Sequence, residues 1–63
     1  MTQKELLYLE DAVSHEDILI NVLNDTYENL ENEEFKTFID EQISIHEDAK
    51  EKLMNILEVK SNE

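Results

Sequence analysis

An all-α fold, a two-helix antiparallel hairpin, follows from three features of this sequence. Neither glycine nor proline occurs in its 63 residues, so almost every position can continue a helix and the usual tight-turn residues are missing. The apolar residues recur at helical, not alternating, spacing. One stretch, Glu28 to Glu34, breaks that spacing with two asparagines and four acids. A chain of this length forms one domain, residues 1–63, with helix one over about 3–29, a turn at about 30–32 and helix two over about 33–59.

Helix one opens at Thr2-Gln3-Lys4-Glu5, which has the form of a capping box: a threonine hydroxyl takes an orphan amide and the glutamate three residues on reaches back. At about 100° per residue, Leu9, Ala12, Val13, Leu19, Ile20, Leu23, Tyr27 and Leu30 share one broad face, with Tyr8 and Val22 at one margin and Leu6 at the other. Glu10, Ser14, Asp17, Asn21 and Glu28 lie opposite. The acids after Asn32 suit the positive end of a second helix. There Phe35, Phe38, Ile39, Ala49, Leu53, Ile56 and Leu57 share a face, with Ile43 and Ile45 at its margins and Gln42 and His46 near its centre.

A hairpin turning near Glu31 sets residue i opposite roughly residue 62 − i, so Glu16 on the first apolar face meets His46 on the second. Two readings of that meeting stay open. The residues form a hydrogen-bonded pair that fixes register inside the core, with Gln42 one turn away as a candidate to support the histidine. Alternatively, a dimer brings two glutamates and two histidines toward one axis, a set that could hold zinc or iron. The ferritin-like ligand pattern places a carboxylate three residues before the histidine, and that position is Ile43. A loose echo, Glu10-x4-His15-Glu16-Asp17 and Glu41-x4-His46-Glu47-Asp48, puts its two histidines on non-equivalent faces and carries no repeat.

Two wide apolar faces leave one side of a lone hairpin uncovered, and stacking two hairpins makes an antiparallel four-helix bundle. Homodimerisation is the expectation, with a dimer core of Leu9, Val13, Ile20, Leu23, Phe35, Phe38, Ala49, Leu53 and Ile56. No cysteine is present, so disulfides and thiolate metal sites cannot supply stability in its place.

Acids outnumber bases 17 to 5, for a formal charge of −12, which repels phosphate backbones and anionic lipid surfaces. Neither nucleic acid nor a membrane is expected as partner, and the longest apolar run is Ile18-Leu19-Ile20. The expected location is cytoplasmic. Although such acidity favours disorder, a 40% hydrophobic content arranged at helical spacing favours a fold. No nucleophile and base converge: Ser14 and His15 diverge by about 100° on a helix. The residues therefore describe no enzyme and no catalytic site. Acidic helices that occupy a basic protein partner are the rival to a structural role.

At Lys4-Glu5-Leu6-Leu7-Tyr8-Leu9-Glu10-Asp11 followed by Glu16, and at Asn32-Glu33-Glu34-Phe35-Lys36 leading to His46, the chain resembles the coat F family of bacterial spore coat proteins. That resemblance implies a small ferritin-like helical bundle and a structural or assembly role in sporulation, within the spore coat and alongside other coat proteins. The chain departs from the family in lacking a turn proline and in having no histidine after His46. Those departures bear on a histidine-rich metal role and leave the fold analogy intact.

Overall fold

A computed structural model describes residues 1–61 as two α-helices, α1 (Gln3–Asn29) and α2 (Glu33–Ser61), folded back on each other as an antiparallel hairpin. Among the described residues there are no strands. The second helix runs two residues beyond its expected end at residue 59, a difference within ordinary end fraying.

The capping box forms as the sequence predicts. Thr2 N–H donates to Glu5 Oε1 at 3.0 Å, and Glu5 N–H donates to Thr2 Oγ1 at 3.1 Å. The Thr2 backbone N–H first, and the Thr2 hydroxyl after it, hold the Glu5 carboxyl below the usual glutamate range. Helix α1 ends at Leu30, whose extended backbone (φ −87°, ψ 142°) turns the chain without any positive φ. That geometry is open to any residue, which explains a turn made without glycine. Asn32 then starts α2: its Oδ1 accepts from Phe35 N–H at 3.1 Å, and its carbonyl accepts from Lys36 N–H at 3.0 Å. Glu33 and Glu34 occupy the first turn and Lys60 the last, each favourable to the helix dipole.

Along α1 and its C-cap, Leu6, Leu9, Val13, Glu16, Ile20, Leu23, Tyr27 and Leu30 are shielded at separations of alternately three and four positions, with Ala12, Asp17 and Thr26 shielded beside them. Lys36, Ile39, Ile43, His46, Lys50, Leu53 and Leu57 repeat that spacing along α2. This is the heptad seam of an antiparallel coiled coil, with a period of 3.5. Lys36 lies over the Tyr27 ring, 4.8 Å from its centroid, and closes the seam near the turn.

Two assignments change accordingly. Ile43, expected at the margin of its face, is the one buried side chain among the described residues, at 9% exposure. Phe35, Phe38 and Ile56, expected in the core of a dimer, are exposed in the single hairpin, so the hairpin itself does not cover them, whereas Leu9, Val13, Ile20, Leu23, Ala49 and Leu53 are shielded at or beside the seam. The cause is the narrow width of a two-helix seam. It takes two positions in seven, while the apolar stripe on each helix is wider than that.

Candidate functional site

Midway along both helices, Glu16 and His46 meet across the seam. His46 Nδ1–H donates to Glu16 Oε2 at 2.7 Å, with the two side chains 27% and 21% exposed. Both occupy seam positions, with Val13 and Ile20 on either side of Glu16 and Ile43 and Lys50 on either side of His46, so the bond is partly shielded from water. Gln42 is half-buried beside the seam, but no hydrogen bond joins it to His46 among the described residues. Ile43, three residues before His46, packs into the seam where the ferritin-like pattern would require a carboxylate. No group of three or more His, Cys, Asp or Glu side chains lies in metal-binding proximity among the described residues.

The two flanks of the seam differ in chemistry. In an antiparallel coiled coil the positions just before each first core position face one another, and so do those just after each second one. Before the seam lie Glu5, Ala12, Leu19 and Thr26 on α1, opposite Ile56, Ala49, Gln42 and Phe35 on α2. Outside them run Tyr8, His15 and Val22, and Phe38, Ile45, Lys52 and Val59. This flank is apolar. Tyr8, Leu19, Val22, Phe35, Phe38, Ile45, Ile56 and Val59 are all exposed on it. A shallow groove at its open end, lined by Met1, Glu5, Tyr8, Leu9, Ile56 and Lys60, confirms that Glu5 and Ile56 share one side.

The opposite flank carries Glu10, Asp17, Asn24, Asp40, Glu47 and an exposed Met54, backed by an exposed Leu7 and by Ser14, Asn21, Glu28, Ser44, Glu51 and Glu58. There Lys50 Nζ pairs with Asp17 Oδ1 across the seam. One part-exposed salt bridge crosses this face, and its acids are dispersed in solvent. Sequence reasoning found the Glu16–His46 pair but missed this sidedness. The signal was present: a 3.5-residue period separates seam from flank, whereas a 100° projection merges them into one broad stripe.

No helix among the described residues is long and apolar enough to cross a membrane. No family model, characterised protein or solved structure matches this chain.

Proposed function

We propose that this chain is a non-enzymatic structural or assembly protein whose apolar flank closes by homodimerisation into an antiparallel four-helix bundle. One observation carries the reading: eight large apolar side chains are exposed on a single flank. The area supports it. The hairpin exposes 4977 Å², whereas a compact protein of 7.5 kDa exposes about 4250 Å². The excess, about 700 Å², comes from the elongated 47 × 14 × 11 Å shape, which leaves the full length of the apolar flank open to a second copy. The coat F resemblance adds a ferritin-like arrangement and a place in the spore coat to this proposal.

Sedimentation equilibrium at micromolar concentration is expected to show a species of twice the chain mass. A monomer with a cooperative thermal transition would overturn the proposal.

The acidic flank favours a second reading, an acidic regulator that holds a basic protein partner. Its exposed Glu10, Asp40, Glu47 and Glu51 supply the charge, and they leave the apolar flank unexplained. We place Glu16 and His46 in the structural role because a hydrophobic Ile43 occupies the position of the missing carboxylate. Protein purified without chelator should carry no stoichiometric iron and hold zinc weakly at most. Elemental analysis decides this. Near-equimolar iron, with a large fall in melting temperature on chelation, would restore the metal reading.

A further inference from the structure

We infer that two hairpins pack through their apolar flanks with their turns at opposite ends, so that their two Glu16–His46 pairs meet at the dyad in one polar layer. The inference rests on the proposed dimer and adds its direction and register.

The first argument is steric. On one side of the midpoint the flank presents Ala12 and Ala49, and on the other Leu19 and Gln42. Inverting one hairpin stacks the long side chains on the alanines, while the same-end arrangement stacks alanine on alanine and leucine on leucine. Interiors pack to uniform density, so the inverted order fills space that the other leaves void. The ends obey the same rule. Phe35 and Phe38 near the turn would cover Tyr8 and Ile56 at the open end.

The second argument is charge. The turn carries Asp25, Glu28, Glu31, Glu33 and Glu34 against Lys36, five acids to one base, whereas at the open end Lys4 and Lys60 balance Glu5 and Glu58. Joining two turns would gather ten acids at one end, many within a screening length of about 8 Å. Opposing the ends keeps the two acidic turns apart.

The third argument fixes register. Glu16 and His46 lie near the middle of α1 and α2, respectively. Under inversion only a central layer coincides with its own copy. A slip of one heptad would set this polar pair against Leu9 and Leu53, or against Leu23 and Ile39, and so cover its hydrogen-bonding groups with hydrocarbon. In the centred register Oε1 of Glu16 and Nε2 of His46 have polar groups of the second copy to meet.

The test uses the absence of cysteine, which makes Glu31→Cys a unique attachment site in the exposed turn. A nitroxide is attached there, and the distance between the two copies is read by pulsed dipolar electron resonance, with sedimentation on the same sample. Opposed turns predict about 40 Å or more, the length of these helices at 1.5 Å per residue. A dimer with a distance below about 25 Å, as adjacent helices would give, overturns the orientation and leaves the dimer standing. A monomer without dipolar modulation overturns both.

Discussion

Replacing Leu19 and Ile45 together by glutamate is expected to convert the dimer to monomer, because both side chains lie on the apolar flank while neither belongs to the seam. They are 37% and 56% exposed in the hairpin, so their cost to an isolated hairpin is small. In the dimer they count twice. Fully burying a leucine or isoleucine contributes about 1.5–3 kcal/mol, and the exposed parts of these four amount to nearly two whole side chains, so the substitutions withdraw about 3–6 kcal/mol before any desolvation of the new carboxylates. That corresponds to an association weaker by about 10²–10⁴-fold.

The control is the pair Leu7→Glu with Met54→Glu. These residues are 55% and 49% exposed, no less than the first pair, but they lie on the acidic flank. Dimer mass and thermal midpoint should change little. Equal dissociation by both double mutants would show that general charge, not a docking flank, governs association, and the proposed interface would fail.

Much of the fold is legible in the sequence because it is written in local chemistry. The capping box at Thr2 and Glu5, the break at residues 30–32 and the meeting of Glu16 with His46 all follow from short-range rules and one length constraint. Burial is less legible. A seam period of 3.5 and a helix period of 3.6 drift apart by about 20° per heptad, enough to move Ile43 from the margin of its face to the buried centre of the seam. The 3.5 period sets Phe35, Phe38 and Ile56 beside the seam, but neither period says what covers them, since an apolar side chain looks alike whether its own chain or a second copy covers it. What separates them is the count of helices available to do the covering. Two helices bury one seam, and the remaining apolar width becomes a surface.

The Glu16–His46 pair makes the second large prediction, which rests on an asymmetry in how shielded polar groups behave. His46→Ala removes the donor at 2.7 Å and leaves the Glu16 carboxylate unpaired in the seam with a cavity beside it. Complete burial of a broken pair would cost about 3–5 kcal/mol. Because about a fifth to a quarter of each side chain is exposed, about 2–3 kcal/mol is expected here. Total stability for a chain of this length is about 3–9 kcal/mol, so the single mutant should lose a large part of its cooperative melt. Replacing both residues by leucine removes both desolvation penalties and fills the seam, so the double mutant should match or exceed the parent in thermal midpoint. Its defect lies elsewhere. With no polar layer to mark the midpoint, slipped and inverted dimers become closer in energy, and a label at Glu31→Cys should report several distances where the parent reports one. Chemical denaturation of the two mutants separates the roles. If His46→Ala lies within about 0.5 kcal/mol of the parent, the hydrogen bond contributes no more than an ordinary surface contact, and the polar layer cannot be what sets the register.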